Sequence, residues 1–464
     1  MSQNSKSNKK NKVLKDFVVV SLVVIVLAGL PVLFLTVQAK RSGLTLRGEM
    51  QRILTRIGEK DELSGLTVEN SIDRNIVFLE KKPIGEGFVN PPLISNLSAD
   101  DLDNDGLLDV VVCDARSNSV SWIRQYPEGT FNEIVLDNTL IAPAHLEVKD
   151  FDGDGDKDIM VAVLGLLFPS NDKIGSVVVL ENDGTCNYRK HIVEEKIARV
   201  SDVRACDLDG DGDMDLAAVQ FGYDDGETRW IENLGNWNFQ SHLLQHLSGP
   251  INVEPIDIEN DNDIDLIVLV SQEWEEIYLY LNDGKGNFET KLLFGSSNED
   301  FGSSGIYMAD MDHDGDKDIL YTNGDAFDYI PPQGRPWHGV QWLENKGDLT
   351  FEYHRLATFV GAYNARPADI DRDGDLDIFV VSAFNLWENL DSQSFIWLEN
   401  DGDMRFSIHN ITNNPSHIIT MEMGDFNNDG LVDMVTGGMH AYPPYDRMSR
   451  VMLWINNNRL SLSD

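Results

Sequence analysis

Asp101-Leu102-Asp103-Asn104-Asp105-Gly106-Leu107-Leu108-Asp109 runs directly into Val110-Val111-Val112. Carboxylates stand at positions 1, 3, 5 and 9, with glycine at position 6. The pattern returns at Asp150, Asp152, Asp154 and Asp158, then at Asp207, Asp209, Asp211 and Asp215. It recurs at Asp310, Asp312, Asp314 and Asp318, and at Asp369, Asp371, Asp373 and Asp377. Two copies depart from it. The fourth (Asp257, Glu259, Asp261, Asp265) has Asn262 where glycine belongs, and the seventh (Asp425, Asn427, Asp429, Asp433) has an amide at position 3. Successive copies begin 49 to 59 residues apart, too regular for solvated acid in chance turns.

The spacing has a chemical reason. Calcium takes six to eight oxygen ligands, and carboxylates at positions 1, 3 and 5 of a tight loop converge. Glycine at position 6 permits the left-handed turn around an ion, and the acid at position 9 closes the cage. Zinc is disfavoured because no His or Cys stands at a ligand position. An EF-hand is excluded, since it needs Glu at position 12 and a helix after it. Position 12 here is Val112, Val161, Ala218, Val268, Tyr321, Val380 or Thr436. The β-branched runs that follow read as buried strands. The loops therefore predict up to seven calcium ions.

Each unit continues in the same order. A second strand motif follows, as in Trp230-Ile231-Glu232-Asn233, Trp342-Leu343-Glu344-Asn345, Trp397-Leu398-Glu399-Asn400 and Trp454-Ile455-Asn456-Asn457. A turn rich in Asn, Asp and Gly comes next, then a strand opening on an aromatic such as Phe239 or Phe351. Four short strands per repeat is the pattern of a propeller blade, and seven loops predict seven blades, an all-β fold over residues 75–464. The last unit lacks a fourth strand, and Asn75-Ile76-Val77-Phe78-Leu79-Glu80 is predicted to supply it and close the ring.

These units resemble FG-GAP/VCBS repeats, the class that builds the propeller of integrin α subunits. The resemblance covers residues 76 to 464 and rests on the aspartate loops. The Phe-Gly and Gly-Ala-Pro pieces of the integrin version are mostly missing, and the Trp-Leu-Glu-Asn strands look closer to the bacterial VCBS type. Similar propellers serve polysaccharide lyases and sugar dehydratases, so the resemblance also permits a carbohydrate-active enzyme.

The amino terminus differs from the rest. Lys6, Lys9, Lys10, Lys12 and Lys15 precede an uncharged apolar run from Phe17 to Val37, long enough to span a bilayer as a helix. The reading is a cytoplasmic tail (1–15), a signal anchor (16–38) and a stalk with a short helix (39–74), placing the propeller on the extracytoplasmic side. A signal peptide cleaved near Ala39 is the alternative. The chain has 37 Lys+Arg against 78 Asp+Glu, a formal charge of -41, which argues against nucleic acid as a partner. Four acidic positions in seven loops, less Asn427, place 27 of those carboxylates in the cages. Cys113, Cys186 and Cys206 show neither a disulfide framework nor metal-ligand spacing.

The strand before each loop should line a central channel. Two and four places before the first aspartate the residues are apolar, from Leu97 and Ala99 to Met421 and Met423, and are predicted to face the neighbouring blade. Three places back stand Ser98, Glu147, Arg204, Glu254, Tyr307, Arg366 and Glu422; five back stand Asn96, His145, Asp202, Asn252, Gly305, Asn364 and Thr420. These two rings should face the channel, either as internally paired charges in water or as a ligand site. His145, Glu147, Arg204, Tyr307, Asn364 and Arg366 are the candidate ligand residues. The loops opposite the acidic ones are long and carry aromatics, including Phe168, Tyr223, Trp274, Phe327, Tyr329, Trp337, Trp387, Tyr442 and Tyr445. Such a face suits a glycan or an envelope or extracellular protein. No Gly-x-Ser-x-Gly or His-Glu-x-x-His motif occurs, and no residue is assigned as catalytic.

Overall fold

A β-branched run with no polar alternation can be stable only if both its faces are covered. The strand after every acidic loop meets that condition. Asp109–Asp114, Asp158–Val163, Asp215–Gln220, Asp265–Val270, Asp318–Asn323, Asp377–Ser382 and Asp433–Gly438 are buried along their whole length. Each is the second strand of a four-stranded antiparallel sheet. The computed structural model describes residues 79–457 apart from 273, 328 and 330, and within them 28 strands form seven such sheets. The tail, anchor and stalk assigned to residues 1–74 lie outside the described residues. Among the described residues no helix is long and apolar enough to cross a membrane.

In the first blade the strands are β2 (Ile94–Asp100), β3 (Asp109–Asp114), β4 (Ser119–Gln125) and β5 (Phe131–Asp137), hydrogen-bonded in that order. The acidic loop joins β2 to β3, and every later blade repeats the arrangement. The core lies between blades. Leu146 of the second blade packs with Val111 and Val120 of the first, and Ala365 of the sixth with Leu320 and Val340 of the fifth. Met421 of the seventh packs with Phe379 and Phe395 of the sixth. The apolar residues four places back thus face the preceding blade. Full burial of such a side chain contributes about 1.5–3 kcal/mol.

The ring closes as expected. β1 (Leu79–Pro83) pairs with β28 (Val451–Asn456), so the last sheet runs β1, β28, β27 (Asp433–Gly438), β26 (Ile418–Gly424). Of the predicted closing strand, residues 75–78 lie outside the described residues. A clasp reinforces the seam: Arg450 donates from Nη1 and Nη2 to the Glu133 carboxylate of β5, both at 2.7 Å. Its Nε lies 3.4 Å from Asp114, and the Arg450 and Glu133 side chains are only 9% and 4% exposed. Burial opposes ionisation of Glu133, but Arg450 outweighs it and holds the carboxyl below its usual range. Arg450→Met should lower stability by about 3–5 kcal/mol in urea unfolding, because it strands a buried charge. Replacing Glu133 by Leu as well should recover much of the loss.

One prediction needs correction. Strict alternation allowed two rings to face the channel. In every blade the inner strand pair carries a bulge between the residues seven and five places before the loop, as at Ile94/Asn96 and Ser303/Gly305. The residue six back (Ser95, Ala144, Ser201, Ile251, Ser304, Tyr363 or Ile419) therefore also faces the channel mouth. A bulge adds a residue and resets the alternation, which no residue count can show.

Candidate functional site

Each acidic loop folds on its own carboxylates. In six of the seven loops the first aspartate accepts the backbone N–H of position 6, as in Gly106 to Asp101 at 2.8 Å and Gly212 to Asp207 at 3.0 Å. The fifth-position carboxylate accepts the N–H of position 7, as in Leu107 to Asp105 at 3.1 Å and Asp213 to Asp211 at 2.9 Å. Position 6 has φ of +88° in Gly106 and +102° in Gly374. An added Cβ at either would meet nothing, so the requirement is conformational rather than steric. Asn262 fills the position at φ +73°, since asparagine tolerates the left-handed region.

The ninth position does more than close a cage. Its aspartate is buried in all seven loops, at no more than 2% exposed. Asp215 shows the pattern. Oδ2 accepts the N–H of Leu208 at 3.2 Å and the indole N–H of Trp230 at 2.9 Å, while Oδ1 accepts the N–H of Asn233 at 2.7 Å. One carboxylate thereby ties the loop to the end of the third strand. The Oδ1 bond recurs from Gln125 to Asp109, Asn182 to Asp158, Asn282 to Asp265, Asn345 to Asp318, Asn400 to Asp377 and Asn456 to Asp433. Burial pushes Asp109 and Asp377 up to about 7, and Asp158, Asp215, Asp265, Asp318 and Asp433 to about 6.

The oxygens converge. Those of Asp101, Asp103 and Asp109 lie within 4.8 Å of one another, as do those of Asp150, Asp152 and Asp158, of Asp207, Asp209 and Asp215, and of Asp310, Asp312 and Asp318. Asp103 Oδ1, Asp310 Oδ1 and Asp369 Oδ1 are buried with no hydrogen-bond partner. An all-oxygen, multiply charged set with orphaned oxygens fits a hard divalent cation of calcium's size.

At the opposite end of the inner strands the channel opens into a cavity of about 250 Å³. Of the predicted ligand residues, His145, Arg204, Asn364 and Arg366 line it, and Glu147 and Tyr307 do not. Several are already committed. Arg204 lies 3.1 Å from Glu254, and His145 2.8 Å from the fully buried Asp202. Arg366 lies 2.7 Å from Glu422 and stacks over Tyr307 at 4.8 Å. Glu147 accepts the N–H of Ala205 at 2.6 Å. Leu167, Phe168, Phe221, Phe327 and Tyr442 form an apolar upper wall. Phe168, Tyr223 and Tyr445 are exposed, whereas Trp274 and Trp387 are buried. Phe327 packs edge-on against Phe384 at 4.7 Å.

A protein-family model described as "FG-GAP-like repeat" matches four overlapping segments, 101–161, 150–218, 207–268 and 260–321. Each match runs from one acidic loop into the strand after the next loop, seen here as the last three strands of a blade plus its successor's inner pair. The chain is an FG-GAP-repeat seven-bladed propeller. Blades six and seven, beyond the matched segments, keep the same ninth-position bonds. A similar solved structure is titled "Crystal structure of BBS1N in complex with ARL6DN, soaked with mercury". It is 9% identical with a TM-score of 0.50, the match covering 82% of this chain and 96% of that one, and it speaks to fold alone. No curated protein matches the chain.

The Trp-x-Glu-Asn strand of this FG-GAP propeller has roles that sequence reading missed. Its Asn bonds the buried aspartate through its backbone. Its Trp donates the indole N–H to that carboxylate in the third blade, from Trp230, whereas the indole N–H of Trp122, Trp342 and Trp397 is buried without a hydrogen bond. Its Glu pairs with a histidine ten residues on, as in Glu232–His242 at 2.6 Å, Glu344–His354 at 2.8 Å and Glu399–His409 at 2.7 Å. That spacing was visible in the sequence. In the seventh blade the alignment shifts by one: Met434 pairs with Trp454, and Asn456 rather than Asn457 bonds Asp433. Trp454 instead donates to Thr436 Oγ1 at 2.9 Å. Arg199 also went unnoticed, since its partners are the carbonyls of Leu166 and Leu167 at the cavity wall.

Proposed function

We propose that this FG-GAP propeller is a calcium-stabilised binding module, held at the extracytoplasmic side of a membrane by residues 16–38. It takes a glycan or an envelope or extracellular protein at the channel mouth, opposite the acidic loops. The observation that carries this reading is the cavity itself. It has an apolar, partly aromatic upper wall over a polar floor of Asn96, Asn252, Asn364 and Thr420, and such walls suit an amphipathic ligand. The carbohydrate-active alternative needs free guanidinium groups to clamp a substrate carboxylate. Arg204 and Arg366 are engaged by Glu254 and Glu422, which favours binding over turnover.

A glycan array and an envelope-protein pull-down with the detergent-solubilised chain test the proposal. Retention should fall roughly tenfold or more in Asn364→Ala and Phe327→Ala, with melting temperatures near wild type. Ligand retained equally by both variants would place the site elsewhere, and release of a product from uronic-acid polysaccharides would favour the enzyme.

A further inference from the structure

The first blade departs from the others at one residue. Because the N–H of Gln125 bonds Asp109 as the equivalent Asn of every other blade bonds its aspartate, Arg124 stands where blades two, three, five and six have Glu181, Glu232, Glu344 and Glu399, and where blades four and seven have Leu281 and Ile455. Its Nη2 lies 2.5 Å from Asp103 Oδ2 and 3.5 Å from Asp105 Oδ2, the third and fifth positions of the acidic loop. The guanidinium is braced between two rings, 5.6 Å from the centre of Trp122 and 4.9 Å from that of Tyr126. Two of the four carboxylates that would hold a cation thus already face one supplied by the chain.

We infer that Arg124 occupies the carboxylates of the first loop in place of a divalent cation, so that ions fill only the loops of blades two to seven. The inference rests on reading the loops as cation sites. The guanidinium engages two of the four carboxylates and cancels one of their four charges, which weakens the loop's pull on a second cation, whereas an added Glu strengthens that pull. A guanidinium also forms directed bonds to carboxylates that an ammonium does not reproduce, and stacking on aromatic faces holds it in place. The first blade, which the closing seam depends on, would then keep its loop folded when calcium is scarce.

Calcium stoichiometry of the detergent-solubilised full chain, by native mass spectrometry and equilibrium dialysis, tests this. Arg124→Glu should bind one ion more than wild type. Asp101→Ala should leave the wild-type count unchanged and lower that of Arg124→Glu by one. Equal counts in wild type and Arg124→Glu, with Asp101→Ala losing an ion from wild type, would overturn the inference. A second measurement needs no ion. In EDTA, Arg124→Gln should lower the melting temperature of wild type but not of the Asp103→Asn variant, and equal shifts in both would count against the guanidinium's role. Calcium binding by none of the proteins would instead remove the cation reading, with the EDTA coupling still deciding what Arg124 does.

Discussion

Excess EDTA at pH 7.5 should lower the melting temperature of the full chain by on the order of 10–20 °C, and calcium should restore it, with magnesium less effective. Each filled site contributes roughly 2.7 kcal/mol at a hundred times its Kd, and the acidic loops recur around the whole ring. The effect should depend on pH with a definite sign. The ninth-position aspartates have folded pKa values raised to about 6 or 7 from 3.8. Without an ion, they contribute stability that is present below 3.8 and lost as pH rises through 6–7, because the folded state holds their protons more tightly. A bound cation favours the ionised form and reverses that loss. The calcium-dependent gain in melting temperature should therefore be small at pH 5 and grow through pH 7. An unchanged melting temperature in EDTA across that range would sink the calcium reading.

Asp215→Ala should cost about 3–5 kcal/mol in urea unfolding even when EDTA is present, so that lost ion binding is not the cause. Removing this carboxylate strands the N–H groups of Leu208 and Asn233 and the indole of Trp230, donors in buried surroundings. Asp215→Asn keeps an acceptor and should cost less. Asp207→Ala, which removes the loop's first position, should be mild in EDTA but should lose most of the calcium-dependent gain of that blade. A loss below about 1 kcal/mol for Asp215→Ala in EDTA would mean that the ninth position serves the ion rather than the fold.

Much of this protein is local and therefore legible. The acidic loops, the buried strands after them and the four-strand blade follow from spacings within about 60 residues, because turn chemistry and strand burial are properties of short segments; the closing strand follows from the last unit's missing fourth strand. The alternation that turns the apolar residues of the inner strand toward a neighbouring blade is local in the same sense, whereas the packing decides that the neighbour is the preceding one. The channel was legible only in part, since the inner bulge turns the residue six places back toward the mouth and makes Ile251, Ser304 and Tyr363 part of its wall.

Partnership was the part that spacing could not supply. Arg204 could have met any of three glutamates, and the ring pairs it with Glu254, leaving Glu422 to Arg366 and sending Glu147 to a backbone N–H. Arg450 reaches Glu133 across more than three hundred residues, and Trp454 stands one place out of register with the tryptophans of the other blades, opposite Met434. The sequence by itself determined the repeat, its loops and their chemistry, since these depend on neighbours along the chain. The tertiary structure decided which charges meet, which carboxylates are buried and which loop carries its own cation, since Coulomb energy and desolvation depend on distances that only the closed ring sets.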